Sequence, residues 1–211
     1  MLFIICQIKT FCLTQKFQFS CHTRTCRFES DRKTSCVGYN EAIKTQEAIF
    51  MKNLTELVFI LDKSGSMAGL EKDTIGGFNS MLQKQRDLDG ECRITTVLFD
   101  NRYELLHDRI DIRAVSPMTD REYQVGGSTA LLDAIGLTVQ KLVSVQKNTA
   151  EEYRAEKVMF VIITDGEENS SREFSAERVK KMIELEKEKY GWEFVFWARI
   201  LTRWRRLLTL A

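Results

Sequence analysis

Asp62, Ser64 and Ser66 stand at every second position of the string DKSGSM, and all three side chains offer only oxygen. An oxygen-only cluster suits a hard cation such as magnesium, which prefers carboxylate, hydroxyl and water ligands. Asp, Ser and Gly are also ordinary turn formers, and Ser66 could simply cap a following helix. Two further loops favour the ion. Thr129 closes the string GGST at 126–129, where a first-turn hydroxyl points at the strand ends. Asp165 follows the apolar run VMFVIIT at 158–164. Oxygens drawn from three separate loops are hard to attribute to turn propensity alone.

Other chemistries are poorly served. An Asp at a strand end beside bound magnesium could accept a phosphoryl group, but Ser64 stands where such phosphatases commonly place a second acid. No GxxxxGK[ST] phosphate loop occurs. The two histidines are His22 and His107, and neither forms an evident Ser/His/Asp set. His107 reads as a strand-surface or packing residue.

The elements that must position these oxygens alternate along the chain. Leu57-Val58-Phe59-Ile60-Leu61 is too short for a helix and rich in β-branched and aromatic residues, the pattern of a buried parallel strand. Strands are predicted at 56–62, 93–100, 103–107, 157–165 and 193–196. Only Asn101 and Arg102 separate the second from the third, so those two pair antiparallel; a parallel crossover needs a dozen or more residues. Helical spacing appears at Ile75, Phe78 and Leu82, over 130–146, and over 172–189, where Val179, Met182 and Ile183 turn inward and Glu and Lys form a solvated face. Ligands of open α/β sheets bind beyond the carboxyl ends of the strands, where Asp62 and Asp165 fall.

With ILDKSGSM, GGSTALLDAIG and VIITDGEENS in that order, the chain resembles the von Willebrand factor A domain with its metal-ion-dependent adhesion site. The run DTIGGFNSML at 73–82 is most similar to bacterial intracellular-type members, and the resemblance covers about residues 54–196. It implies a doubly wound, three-layer Rossmann-like α/β fold, mostly parallel with one antiparallel strand. It also implies that Asp62, Ser64, Ser66, Thr129 and Asp165 hold Mg2+, or Mn2+ or Ca2+ in its place. Ser64 and Ser66 would be direct ligands and Thr129 direct or water-mediated, with Asp62 and Asp165 anchoring waters and hydroxyls. The implied function is binding rather than catalysis: the ion grips an Asp or Glu carboxylate of a partner protein. A Mg-dependent phosphoryl-transfer hydrolase using Asp62 is the alternative.

The two ends read differently from the core. Five of six cysteines (Cys6, Cys12, Cys21, Cys26 and Cys36) precede residue 50, with no C-x-x-C pair and irregular spacing, so neither a zinc site nor a disulfide framework is indicated. The opening apolar run is broken by Gln7 and Lys9 and lacks a cleavage pattern, unlike a signal peptide, and is too short to span a membrane. Met51 is the expected natural start, leaving 1–50 as a non-domain leader from translated upstream sequence. From 197 the chain runs WARILTRWRRLLTLA, with four Arg and no acid. A frame shifted at Trp197, with suitable synonymous codons, yields Gly-Ala-Asn-Ile-Asp-Ala-Val-Glu-Thr instead. The tail 197–211 is therefore read as a frameshift product, and the 51–196 domain as lacking its last helix and edge strand. Between these ends the domain holds 20 Lys/Arg against 26 Asp/Glu, a charge of −6 that disfavours nucleic-acid binding. That charge and a single domain cysteine, Cys92, fit a cytoplasmic protein without membrane attachment.

Overall fold

The computed structural model describes residues 54–198, and the expected leader and nearly all of the expected tail lie outside them. In chain order the elements are β1 (Leu54–Asp62), α1 (Glu71–Arg86), β2 (Glu91–Phe99), β3 (Tyr103–Asp111), α2 (Leu131–Asn148), β4 (Lys157–Thr164), α3 (Ala176–Tyr190) and β5 (Glu193–Ala198). Single 3-10 turns occupy Gly65–Met67, Ile112–Ala114 and Glu151–Tyr153.

The strands form one sheet in the order β3-β2-β1-β4-β5. β1 runs parallel to both β2 and β4, β5 runs parallel to β4, and β3 is antiparallel to β2. The chain leaves β1 for one side of the sheet and later returns to its other side at β4. That reversal opens a crevice beyond the carboxyl ends of β1 and β4, where ligands of such sheets bind.

Residue alternation in β1 assigns the two faces. Val58 and Ile60 pack with Ile135, Val139, Phe160 and Ile183, beneath α2 and α3. Leu57, Phe59 and Leu61 pack with Phe78, Leu82, Ile94 and Leu98, beneath α1. The rings of Phe59 and Phe78 meet edge to face at 4.9 Å between centroids. These are the three expected layers, with β1 buried on both sides.

Most element boundaries shift by one or two residues from expectation, and three of the differences have clear local reasons. β3 continues past His107 to Asp111 because a bulge opposite Ile94 and Thr96 absorbs an irregular register, with Arg109 in the left-handed region at φ 51°. α3 begins at Ala176 rather than 172: Ser175 accepts the N–H of Arg178 as N-cap, while the N–H groups of Arg172, Glu173 and Phe174 turn to Asp133. β5 runs two residues beyond the expected domain end. Trp197 and Ala198 pair with Ile163 and Thr164, and Trp197 packs on the α1 side of the sheet. Among the described residues, no helix is long and apolar enough to cross a membrane.

Candidate metal centre

Asp62 ends β1 with its carboxylate fully buried and both oxygens engaged. Oδ1 accepts the backbone N–H of Ser64 at 2.8 Å, and Oδ2 accepts the hydroxyl of Thr164 at 2.6 Å. The Tyr123 hydroxyl donates to the Asp62 carbonyl, and burial pushes its pKa above the ordinary phenol range. The loop that follows is stitched to its neighbours through the backbone. Lys63 N–H donates to Phe99 C=O at 2.7 Å, Gly126 N–H to Lys63 C=O at 2.8 Å, and Gly65 N–H to Gly127 C=O at 3.0 Å. Gly127 sits at φ +78°, and a Cβ there would lie 2.8 Å from Asn101 Oδ1, so this crossing needs glycine.

These backbone links bring the hydroxyls into one chain. Thr129 Oγ1 donates to Ser64 Oγ at 2.9 Å, and Ser64 Oγ lies 2.8 Å from Ser66 Oγ. Ser64 and Thr129 are buried while Ser66 is exposed, so the chain leads from the interior to the surface. Thr129 precedes α2 by two residues rather than lying in its first turn, and Ser66 caps no helix.

Gly166 defines the remaining space. A Cβ placed on it would stand 2.6 Å from both Ser66 Oγ and Thr129 Oγ1 and 3.0 Å from Asp62 Oδ2. Its neighbour Asp165 is half-buried, with Oδ1 shielded from solvent and lacking a hydrogen-bond partner. Asp62, Ser64, Ser66 and Thr129 are thus gathered around one point. Asp165 follows directly on Thr164, which is itself bonded to Asp62. An oxygen-only set with one unsatisfied carboxylate oxygen and a cradle beside Gly166 fits a small hard cation. Among the described residues there is no group of three or more His, Cys, Asp or Glu side chains able to hold a metal. Any ion here would therefore depend on hydroxyls as well as carboxylates.

A manganese-loaded structure of the Plasmodium vivax TRAP protein aligns over 76% of this chain and 65% of its own, at 21% identity and a TM-score of 0.55. The fold is that of a von Willebrand factor A domain. Two further similar structures are the ArnB paralog VWA2 from Sulfolobus acidocaldarius and BatB from Bacteroides thetaiotaomicron. The first is 17% identical and covers 68% of this chain and 34% of its own, with a TM-score of 0.45. The second is 17% identical and covers 67% and 65%, with a TM-score of 0.41. The chain spans about a third of the Sulfolobus protein and 65% of the other two. No protein-family model and no curated protein sequence matches it.

Within this von Willebrand factor A fold, several residues that shape the cluster lie outside the set of site residues predicted from the sequence. Thr164 and Tyr123 hold Asp62, and Gly166 leaves the cradle open. Asn169 Oδ1 accepts the Thr129 N–H at 3.0 Å, while Thr129 C=O accepts the N–H groups of Asn169 and Ser170 at 3.1 Å. The string TDGEENSS at 164–171, dense in turn-forming and acceptor side chains, is the one local hint of them. Lys63 turns away from the cluster to pair with Glu104 at 2.5 Å. His107 is half-buried on β3 opposite Thr96, with its pKa lowered by burial.

Proposed function

We propose that Asp62, Ser64, Ser66, Thr129 and Asp165 hold a divalent cation, Mg2+ or in its place Mn2+ or Ca2+, that grips an Asp or Glu side chain of a partner protein. The cradle beside Gly166 carries this reading: three oxygens, from Asp62 and Ser66 of one loop and Thr129 of another, surround a point on the third loop where a methyl group would not fit. Bound there, the ion supplies positive charge with an open position that a carboxylate can fill. Ser64 and Ser66 are the proposed direct ligands. Thr129 binds directly or through water, and Asp62 and Asp165 orient waters and hydroxyls. The manganese in the similar Plasmodium structure supports a divalent ion and recommends Mn2+ as a probe.

Asp62 is buried and each of its oxygens accepts one hydrogen bond, which suits an anchor that orients hydroxyls and waters about the ion. The competing reading is phosphoryl transfer with Asp62 as the nucleophile. The wider reading is of a bacterial intracellular-type module, from the likeness of DTIGGFNSML at 73–82, and of a cytoplasmic one, with which the single, buried domain cysteine Cys92 and the −6 domain charge are compatible.

The test uses the immobilised full chain in Mg2+ or Mn2+. Partner proteins should be retained, released by EDTA, and absent from Asp62→Ala. Retention that survives both changes overturns the reading. Phosphatase activity on generic substrates that is lost in Asp62→Asn would establish the hydrolase instead.

A further inference from the structure

Glu168 has both carboxylate oxygens engaged beside the cluster, yet the ion reading gives it no task. Oε2 accepts the backbone N–H of Leu132 at 2.9 Å and the hydroxyl of Ser171 at 2.8 Å. Oε1 accepts the N–H groups of Ser170 at 3.0 Å and Ser171 at 2.7 Å. Leu132 lies in the first turn of α2, where N–H groups have no intrahelical acceptor. Ala130, the residue before that helix, makes no side-chain cap. Glu168 supplies the missing acceptor from 36 residues away, and its negative charge suits the positive end of the helix. Ser171 adds a second link by accepting the Asp133 N–H at 3.1 Å.

The consequence reaches two of the proposed ligands. Thr129 stands two residues before α2, and Asp165 three residues before Glu168. The segment that begins at Asp165 takes both backbone groups of Thr129, through Asn169 and Ser170, and takes the start of α2 through Glu168 and Ser171. Thr129 and the turn at Asp165 and Gly166 are thereby fixed to each other by bonds that need no ion.

We infer that Glu168 is a positioning residue for ion binding: it locks the Thr129 loop and the Asp165 turn into one preformed unit, so that the ion meets oxygens already in place. This rests on the ion reading above. Its chemistry is specific, because each oxygen already serves as acceptor to two donors. Glu168→Gln keeps the shape but turns an NH2 group toward a pair of donors, so an isosteric change becomes a disruptive one. Outer partners of metal ligands typically contribute 10- to 100-fold in affinity.

The experiment titrates the full chain with Mn2+ and follows free Mn2+ by electron paramagnetic resonance, beside thermal melts in EDTA. The control for stability alone is Gly191→Ala. Gly191 sits at φ +65° past the end of α3, and a methyl group added there would meet nothing within 4 Å, so the change strains only the backbone. Glu168→Gln should weaken Mn2+ binding about tenfold or more, whereas Gly191→Ala should lower the melting temperature and leave the affinity unchanged. Wild-type affinity in Glu168→Gln overturns the inference, as does an equal loss in Gly191→Ala. A wild type that binds no Mn2+ overturns the ion reading itself, an outcome distinct from either.

Discussion

Thr164 donates its hydroxyl to Oδ2 of Asp62 at 2.6 Å, tying the end of β4 to the end of β1 across 102 residues of sequence. Both side chains are buried, so water cannot take the place of the hydroxyl. Thr164→Val keeps the branched shape and removes the hydroxyl, which also accepts the Gly166 N–H at 3.2 Å, so a carboxylate oxygen and a backbone N–H each lose a partner. The expected loss is about 1–3 kcal/mol of stability, read by urea denaturation in EDTA so that no ion contributes. A midpoint equal to that of the wild type would show that Asp62 does not need this bond.

Gly166→Ala tests the cradle. The residue is not in the left-handed region, so alanine brings no backbone strain of that kind. Its methyl would instead stand 2.6 Å from Ser66 Oγ and Thr129 Oγ1, closer than a carbon and an oxygen can rest. Ser66 is exposed and can swing aside, while the buried Thr129 must shift, so the fold should survive with a loss of about 1–3 kcal/mol. The space around the oxygens should be lost. Mn2+ affinity is expected to fall at least as far as in Asp62→Ala, measured by calorimetry on folded protein. Undiminished affinity would place the ion elsewhere.

The sequence displays the parts of this site that repeat locally and conceals the parts made by contact. β1 and β4 are legible because strands buried on both faces are continuously apolar, and Asp62 and Asp165 stand where those runs stop. Thr164, Gly166, Glu168 and Asp133 are not legible in this way. Each acts on residues dozens of positions away, a separation that periodicity does not register. The start of α3 departs from expectation for the same reason. Arg172, Glu173 and Phe174 continue the helical spacing, but Asp133 accepts all three of their N–H groups at 2.8–2.9 Å and holds them out of the helix. The extension of β3 depends on Arg109 adopting φ 51°, a conformation uncommon for residues other than glycine and unmarked by any local motif.

Cys92 should be chemically silent in the folded protein. It lies on β2, only 8% exposed, and burial together with the nearby Glu56 and Asp111 carboxylates pushes its thiol up to about 12. The thiolate is the reactive form. Iodoacetamide at about pH 8 should leave the Cys92 peptide unlabelled until denaturant is added, as read by peptide mass mapping that separates it from the other five cysteines. Rapid labelling without denaturant would mean that β2 opens readily.

Glu56 sets a pH dependence opposite to that of an ordinary salt-bridged acid. It is fully buried on β1, and Arg109 places both Nε and Nη2 on Oε1, at 2.8 and 2.5 Å, while Oε2 has no partner. Burial raises its pKa above the ordinary 4.5 and outweighs the lowering by Arg109, because only one of the two oxygens is compensated. The folded state therefore holds this proton more tightly than the unfolded chain does. Its contribution is fully present below 4.5 and is lost as pH rises through the raised value. Other carboxylates act on the total, so the informative quantity is the difference between wild type and Glu56→Gln, which cannot titrate. From about pH 4 to about pH 8 the wild type should lose stability relative to the variant, measured by urea denaturation at each pH. The opposite slope would mean that Arg109 dominates and that Glu56 is charged in the folded protein throughout.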